Sequence, residues 1–417
     1  MASAQRPPLN ICLLLAIPAE AQDRPNRQTM FYGAKQSIKR CIDVVFWKLR
    51  IYHFYSHAWE RKINTNKGDI AIRQNISRQL TDEFSDMTVK FNEIGWLDLD
   101  ERTAIDIGRR HHLLIIAGSG YLRFDDHDAL PPRLKRDAEN LAWVACPKIA
   151  YGIGINKSLG KGSHDSQGQS SDLPEETEHF LRAIFQQLDA ISVRDEMTRA
   201  LVAKRTNIPV SLTGDPVLFA DRTPNRPRPN GSARLKIGLN IALHEGQVMA
   251  ELAGTLSICM TFLERLQKEQ GAEIHYIQHC DIERVIPRLL SYRGLRVTAH
   301  DADGAALLDI YRSLDLHLCQ MLHSSIMSCS VGTPVINIPY DVKNRSFFEL
   351  MGLTEFLIAP QDLTAEKLWA VAQLALQSGP ALSHRILSRV DQLRGSSDGF
   401  LGRVREVVET ASCGASR

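Results

Sequence analysis

Short apolar runs alternate with segments of helical spacing along most of the chain. In the first half the apolar runs are typical of buried strands, and the segments between them carry apolar residues three and four positions apart. The predicted strands of this half are residues 10–16, 113–117, 148–152 and 190–193, and its predicted helices are 69–84, 173–187 and 195–204. Strand–helix alternation of this kind predicts a parallel sheet with helices on both faces.

The same rhythm returns after a segment rich in proline and polar residues. The predicted strands of the second half are residues 235–241, 274–278, 316–319 and 334–338, and its predicted helices are 247–268, 304–314, 324–330 and 343–351. The pattern predicts a first domain at 1–220, a linker at 221–234 and a second domain at 235–417, whose last helix packs back on the first domain. The predicted fold class is α/β, with two Rossmann-like domains facing across a cleft where ligands bind.

Composition agrees with a two-domain globular protein and excludes some partners. The chain has 417 residues, of which 44% are hydrophobic and 24% charged, so each half can bury a core. The formal net charge of +2 gives no basic excess and argues against a nucleic-acid partner. Eight cysteines without a CxxC pair predict buried, reduced thiols in a cytoplasmic protein, with no disulfide frame and no metal site.

Two N-terminal segments each admit two interpretations. The apolar run at residues 11–17 fits a secretory leader or a first buried strand, and its shortness, its lack of lysine and two preceding prolines favour the strand. Residues 31–59 combine an apolar stripe with lysines, arginines and aromatic side chains. They fit a helix packed on the first domain, which we favour, or an interfacial helix that brings a cytoplasmic protein to a membrane-bound acceptor.

Candidate chemistry in the first half lies at strand ends and one helix start. Asp69 follows Gly68 where a helix begins, so it is either the helix N-cap or a carboxylate that takes a proton from a sugar hydroxyl. Gly118 and Gly120 follow a strand and form either a ligand-binding turn or a plain tight turn. Arg194 ends another strand and either grips a carboxylate or phosphate or pairs with a neighbouring surface acid.

The strongest candidate segment runs from His323 to Lys343. A strand leads to His323, and Ser324 and Ser325 open a short helix, while Lys343 lies at the end of the next strand. A helix N-terminus attracts anions, and a histidine there can act as a general acid or base. A lone histidine at a helix start is more often structural, but Lys343 can converge on the same anion.

In order and spacing, these segments resemble the polysaccharide pyruvyl transferases. The matching segments are Asn66-Lys-Gly-Asp69, Ala117-Gly-Ser-Gly120, Ser192-Val-Arg-Asp195, Asp215-Pro216, Met321-Leu-His323, Gly332-Thr-Pro334 and Tyr340-Asp-Val-Lys343. The resemblance covers residues 66–353 and both halves of the chain. It implies a fold like the two-domain GT-B glycosyltransferases, with the first domain on the acceptor side and the second on the donor side.

The resemblance also implies a reaction and its residues. The enolpyruvyl unit of phosphoenolpyruvate moves onto two hydroxyls of a sugar in a polysaccharide or a lipid-linked saccharide, which leaves a cyclic pyruvate ketal and phosphate. No metal or cofactor is required. Arg194 holds the donor and His323 is the acid/base, and we add the hypothesis that Asp69 assists the attacking hydroxyl. The other donor-side residues are Ser324, Ser325, Tyr340, Lys343 and Arg345, and the acceptor or cleft residues are Asn66, Gly68, Gly118 and Gly120.

Met321 stands where the family has an arginine. Loss of a charge-assisted hydrogen bond costs about 1.5–3 kcal/mol. Either Lys343 or Arg345 supplies the charge, with the Ser324 and Ser325 backbone, or the donor has changed. Two other functions stay open, a GT-B glycosyltransferase that uses a sugar nucleotide and a non-catalytic saccharide-binding relative. No clear ribose-binding acid supports the first, and the intact His323 and Arg194 argue against the second.

Overall fold

The computed structural model describes residues 8–16, 66–157, 173–221, 234–243 and 249–414. The predicted linker, apart from its two end residues, and the whole of residues 31–59 lie outside the described residues. Within them the chain forms two larger parallel sheets, one on each side of the predicted linker. The prediction of an α/β fold with Rossmann-like domains is confirmed.

The first sheet has six parallel strands in the order β2-β1-β3-β5-β7-β8. Its strands are β1 (Leu9–Leu15), β2 (Val89–Gly95), β3 (Leu113–Ala117), β5 (Lys148–Ile153), β7 (Ala190–Val193) and β8 (Val210–Leu212), and a short separate pair joins β4 (Leu122–Arg123) to β6 (Ile155–Asn156). The helices of this half are α1 (Lys67–Glu83), α2 (Glu101–Arg110), α3 (Pro132–Asn140), α4 (Glu175–Phe185) and α5 (Glu196–Ala203). Strand β1 lies between β2 and β3 and is almost wholly buried, so the strand interpretation of the N-terminal apolar run is confirmed.

The second sheet has five parallel strands in the order β11-β10-β9-β12-β13. Its strands are β9 (Lys236–Asn240), β10 (Glu273–Ile277), β11 (Val297–His300), β12 (Leu316–Cys319) and β13 (Val335–Asn337). The helices are α6 (Met249–Gln270), α7 (Val285–Tyr292), α8 (Gly304–Ser313), α9 (Leu322–Ser330), α10 (Val342–Met351), α11 (Ala365–Gln377) and α12 (Gly379–Gly414).

The last helix, α12, is 36 residues long and runs from the second half onto the first. Near its start, Arg389 Nε donates to the Leu350 carbonyl at 2.7 Å. Farther along, the Ser397 hydroxyl lies 2.6 Å from the Tyr151 hydroxyl beneath the first sheet, and Arg405 binds Asp86 at 2.7 Å. Each partly exposed ion pair contributes at most about 1 kcal/mol, so the buried apolar face holds the helix in place.

Other global predictions have mixed outcomes. The seven cysteines in the described residues are free and five of them are buried, but Cys280 is half-buried and Cys413 is exposed, so the prediction of buried thiols is wrong for these two. Among the described residues no helix is long and apolar enough to span a bilayer. The same residues contain no group of three or more metal-ligating side chains.

Candidate active site

The site forms where the carboxyl ends of the first sheet meet the start of α9 in the second half. Asp69 on α1, Arg194 after β7 and Asp215 after β8 come from the first half. His323 on α9 and Lys343 on α10 come from the second half. The charges of Lys343 and Arg194 both act on the Asp69 carboxylate. The fold therefore brings five ionisable side chains from distant parts of the sequence into one cluster.

The Asn66–Asp69 turn is held by its own side chains. Asn66 is the N-cap of α1, since its Oδ1 accepts from the Gly68 amide at 3.1 Å. Its Nδ2 donates to Asp69 Oδ2 at 3.0 Å. The interpretation of Asp69 as N-cap is therefore wrong, because Asn66 already fills that position. The Asp69 carboxylate instead faces the strand ends of the first sheet.

Ser119 completes the environment of Asp69. Its hydroxyl donates to Asp69 Oδ1 at 3.1 Å, and its backbone φ of 64° is uncommon for a residue with a side chain. Burial raises the pKa of the Asp69 carboxyl, while the Ser119 hydrogen bond and the charges of Lys343 and Arg194 oppose that rise. Sequence reasoning missed Ser119 because it looked for glycines in this turn.

Gly118 and Gly120, on either side of Ser119, are explained by internal packing. A Cβ on Gly118, whose φ is 55°, would lie 2.6 Å from Ile72 Cγ2 on α1, and one on Gly120 would lie 2.0 Å from Asn156 Nδ2. Such distances are shorter than real carbon contacts. Gly118 thus lets α1 approach the sheet, which in turn places Asp69, and these contacts favour the tight-turn interpretation of both glycines.

Gly68 packs directly against the His323 ring. A Cβ on Gly68 would lie 2.0 Å from Nδ1 of His323 and 2.3 Å from its Cγ. Gly68 is not among the residues with positive φ, so its backbone conformation is not the reason for the glycine. The glycine is needed because the start of α1 covers the histidine of the other half.

The other edge of the His323 ring faces Asp215. Nε2 of His323 lies 3.8 Å from Oδ2 of Asp215. Asp215 is fully buried, and its Oδ1 accepts from the Val217 amide at 3.0 Å. Burial raises the pKa of Asp215 to about 6, although the nearby Arg194 charge opposes the shift. Sequence reasoning noted the Asp215-Pro216 pair but missed this role, because only the fold places it beside His323.

Arg194 is fixed from three sides. Its Nη2 donates to the Ile155 carbonyl at 2.8 Å and to Asn156 Oδ1 at 3.2 Å, and its Nε lies 3.4 Å from the carboxylate of Asp195. Its side chain is only 5% exposed, and so is not the surface ion pair of the alternative interpretation. Nη1 of Arg194 makes no hydrogen bond within the described part of the chain, which leaves donors for a ligand.

Lys343 and Tyr340 lie together at the start of α10. Nζ of Lys343 is 4.0 Å from Asp341 Oδ2 and 5.2 Å from the centre of the Tyr340 ring. Burial lowers the pKa of Lys343, and the Asp341 carboxylate opposes that shift. Nearby, the Val342 amide donates to the Lys157 carbonyl at 3.1 Å. Lys343 therefore sits where the two halves touch.

The hydroxyls of Ser324 and Ser325 point into the second half. Ser324 Oγ lies 2.8 Å from both His317 Nε2 and the Tyr311 hydroxyl, and Ser325 Oγ lies 3.1 Å from Asn337 Nδ2. Both serines are fully buried. Their side chains are thus used internally, and the Ser325 amide already bonds the Met321 carbonyl at 3.3 Å. Within the described residues, only the Ser324 amide remains available for the predicted role of these serines in binding the donor substrate.

Met321, which occupies the position of the family's arginine, is buried at the start of α9. Met321 is the N-cap of α9, makes no side-chain cap hydrogen bond and is 2% exposed. Arg345 is bound to Glu349 at 2.8 Å with its side chain 41% exposed, which places it on the outer face of α10. Lys343, in contrast, acts on Asp69. Of the two cations predicted to replace the arginine, only Lys343 is in the cluster.

Buried asparagines fix the loop that carries His323. Asn337 and Asn344 both donate to the Gln320 carbonyl, at 3.2 and 2.7 Å, and the Met321 amide donates to Asn240 Oδ1 at 3.3 Å. All three asparagines are fully buried. Several hydrogen bonds between buried groups make such a network rigid, although Asn344 Oδ1 has no partner among the described residues. The start of α9 is therefore set by residues from three other elements, which sequence spacing alone does not reveal.

Lys67 clamps the first half to the second. Its Nζ binds Asp301 Oδ1 at 2.5 Å and the Ala302 carbonyl at 2.9 Å, and its amide donates to the His279 carbonyl at 3.1 Å. Lys67 is 7% exposed. The clamp holds the Asn66–Asp69 turn over His323, and it too was missed by sequence reasoning.

Solved structures share the arrangement of two facing Rossmann-like domains. The chain is similar to an α,α-trehalose 6-phosphate synthase from Burkholderia multivorans, with TM-score 0.50, 12% identity and 98% of each chain covered. It is also similar to a UDP-GlcNAc 2-epimerase from Neisseria meningitidis, with TM-score 0.51, 11% identity, and 81% of this chain and 96% of that one covered. At such identity the likeness shows the fold, which is of the GT-B type.

The family follows from a different comparison. The model of the polysaccharide pyruvyl transferase family matches residues 39–342, which includes Asn66–Asp69, Arg194, Asp215 and His323. The chain therefore belongs to the polysaccharide pyruvyl transferase family, a family of transferases that act on saccharide acceptors. No protein of curated function is significantly similar to it in sequence. The chain is also similar to a Thermobaculum terrenum O-GlcNAc transferase mutant, with TM-score 0.42 and 14% identity. That match covers 82% of this chain, which spans 60% of the length of the other protein.

Proposed function

We propose that this protein transfers the pyruvyl unit of phosphoenolpyruvate to a saccharide and forms a cyclic ketal. The observation that carries the proposal is the placement of His323 beside Asp215 and in one cluster with the cations Arg194 and Lys343. A histidine, two cations and buried carboxylates at a domain junction suit an anionic substrate whose reaction needs proton transfer.

The two cations match the two anionic groups of the donor. Phosphoenolpyruvate carries a carboxylate and a phosphate, and a guanidinium binds either through paired hydrogen bonds. Arg194 is held rigidly with Nη1 unused among the described residues. Lys343 supplies a point charge from the other half. This pairing also accounts for donor use without the family arginine at Met321.

His323 and Asp69 divide the proton transfers. His323 protonates the methylene carbon of the donor, which becomes a methyl group, and positive charge develops at the carbon bearing the phosphate. A first sugar hydroxyl attacks that carbon and gives its proton to Asp69, whose pKa is raised by burial. A second hydroxyl then displaces phosphate and closes the ketal, and its proton leaves with the phosphate or returns to His323. Two C–O bonds form and one breaks.

Asp215 supports His323 in this role. At 3.8 Å, Asp215 Oδ2 is beyond hydrogen-bond distance of His323 Nε2 and acts on the ring through its charge. A carboxylate there stabilises the imidazolium that donates the proton. The acceptor is a sugar of a polysaccharide or a lipid-linked saccharide, and cytoplasmic location and membrane contact through residues 31–59 stay predictions.

The decisive experiment incubates the protein with phosphoenolpyruvate and a panel of saccharide acceptors. We expect phosphate release together with the mass gain of a pyruvate ketal on one acceptor. His323→Ala should abolish both signals while the circular dichroism spectrum is kept, and His384→Ala, an exposed histidine on α12, should keep full activity. Turnover only with sugar nucleotides, or an active His323→Ala variant, would contradict the proposal.

A further inference from the structure

An open cavity of about 550 Å³, lined largely by exposed and half-buried residues, lies between α12 and the edge strand β8. It is distinct from the cluster around His323, since it shares none of that cluster's residues. Its polar lining comes from Arg199, Ser211, Arg389, Gln392, Ser396 and Arg403, and no carboxylate is among the described residues that line it. A cavity of this volume is large enough for a small ligand.

Two arginines of this cavity, the half-buried Arg389 and the exposed Arg403, use only part of their hydrogen-bond donors within the described residues. Arg389 donates through Nε to the Leu350 carbonyl at 2.7 Å and through Nη1 to Gln392 at 3.0 Å, and Arg403 donates to the Ser211 hydroxyl. Within the described residues neither arginine pairs with a carboxylate. Arg199, by contrast, is neutralised by Glu196 at 2.6 Å. Two guanidinium groups with unused donors therefore face a space without a counter-charge, which favours an anion.

The helix leaves this space open. Ser396 and Gly399 are the small residues of α12 that face the cavity, and no atom lies within 4 Å of the position that a Cβ on Gly399 would take. Gly395 and Gly402 of α12 are equally open, so Gly399 enlarges the cavity but does not by itself indicate a ligand. Leu212 and Leu393 provide an apolar floor.

We propose that this cavity binds a phosphorylated monosaccharide. The phosphate lies between Arg389 and Arg403, where two guanidinium forks can share its oxygens. Gln392 and Ser396 provide hydrogen bonds for sugar hydroxyls, and the apolar floor accepts the C–H face of the ring. A free phosphate would satisfy the charge but leave most of the volume unfilled. This site is independent of the transfer reaction proposed above.

The apolar side of the cavity packs against the segment that precedes Asp215. Leu393 Cδ1 lies 3.4 Å from the position of a Cβ on Gly214, and Gly214 directly precedes Asp215. Both Leu393 and Leu212 border the cavity. A ligand in the cavity that contacts Leu393 therefore touches a residue that packs against the segment carrying Asp215.

Calorimetric titration of the full chain with glucose 1-phosphate tests the proposal. We expect saturable binding to one site, and the double variant Arg389→Gln with Arg403→Gln should weaken it at least about tenfold, since both charge-assisted contacts are lost. Arg385→Gln removes another arginine of α12, outside the cavity and paired with Glu355, and should keep the affinity. Lys343→Gln should also keep it, which separates this cavity from the active site.

Two further arms distinguish the source of the phosphate. Inorganic phosphate should bind more weakly than glucose 1-phosphate, and vesicles containing phosphatidylglycerol should bind the wild type and the double variant alike. The proposal is overturned if glucose 1-phosphate does not bind, if the double variant binds it as the wild type does, or if inorganic phosphate binds equally well. Vesicle binding that depends on Arg389 and Arg403, without binding of the soluble sugar, would assign the cavity to a lipid headgroup instead.

Discussion

Replacing Gly68 with alanine is expected to remove activity while both sheets stay folded. On an ordinary helix the change is favourable by about 1 kcal/mol, since alanine has the higher helix propensity. Here the new methyl group would lie 2.0 Å from Nδ1 of His323. Ordinary carbon–nitrogen contacts are about 3.5 Å or longer, so the ring or the start of α1 must move by roughly 1 Å or more.

The expected loss follows from that displacement. A misplacement of about 1 Å in a catalytic group costs on the order of a hundredfold in rate. The ring is confined on its other edge by Asp215, 3.8 Å away, and cannot simply retreat. We therefore expect kcat/KM for pyruvyl transfer to fall about a hundredfold, measured by phosphate release. The melting temperature should fall by only a few degrees, because a one-methyl overlap typically costs about 1–3 kcal/mol.

Gly254→Ala is the matched control. Gly254 lies within α6, and nothing lies within 4 Å of the position of its Cβ. This substitution should leave activity unchanged and stabilise the protein by a few tenths to about 1 kcal/mol. If Gly68→Ala retains wild-type turnover, the His323 ring can be displaced without loss of activity. The assignment of His323 as the proton donor then loses its structural basis.

Three further predictions concern the charged groups. Because burial raises the pKa of Asp215 from 3.8 to about 6, the folded state binds more protons than the unfolded state, and the protein loses stability as pH rises through that window. The variant Asp215→Asn should therefore gain up to roughly 3 kcal/mol of unfolding free energy relative to wild type between pH 4 and 7, yet lose transfer activity. Equal melting temperatures of the two proteins across this pH range would refute the prediction. Lys67→Met should lower unfolding free energy by about 1 kcal/mol and raise KM, and an unchanged KM would count against the clamp. Lys343→Gln should raise KM for phosphoenolpyruvate at least about tenfold and Arg345→Gln should not, so equal effects would contradict our choice of replacement cation.

Most of the fold could be predicted from periodicity because its central strands are strongly apolar. β3 and β12 are completely buried, and both were predicted with their observed bounds. The edge strands β2 and β11 were missed for a physical reason, whereas the buried edge strand β13 was predicted. β2 and β11 are only partly buried, so polar residues interrupt their pattern. Helices α2, α3, α7 and α11 were likewise not predicted.

The first residues of the helices were predicted less accurately than the positions of the helices in the chain. α9 begins at Leu322 and α10 at Val342, in each case earlier than predicted. For α10 the cap is Asp341, whose side chain accepts from the Lys343 amide at 3.0 Å. The prediction had placed the helix start at Lys343 itself. Capping is a local hydrogen bond, and several polar residues in a row compete for it, so the first residue of a helix is poorly determined by sequence.

The candidate site was predictable only where a motif was continuous. His323, Arg194, Asp69 and Lys343 each lie in a recognisable segment, and the structure places them together. Ser119 could not be predicted, because its hydrogen bond to Asp69 joins residues fifty positions apart. Other missed contacts, such as the Lys67 clamp, join the two halves across still longer distances, and no spacing rule connects them.

Helix α12 has a consequence for how the two halves can move. The chain passes between them twice, once through residues 222–233 and once along α12, whose start packs on the second half and whose end packs on the first. Because this one helix makes both contacts, a rotation that separates the halves must bend α12 or detach one of its ends. The arrangement in which the Asn66–Asp69 turn covers His323 therefore depends on the packing of a helix far along the chain from both.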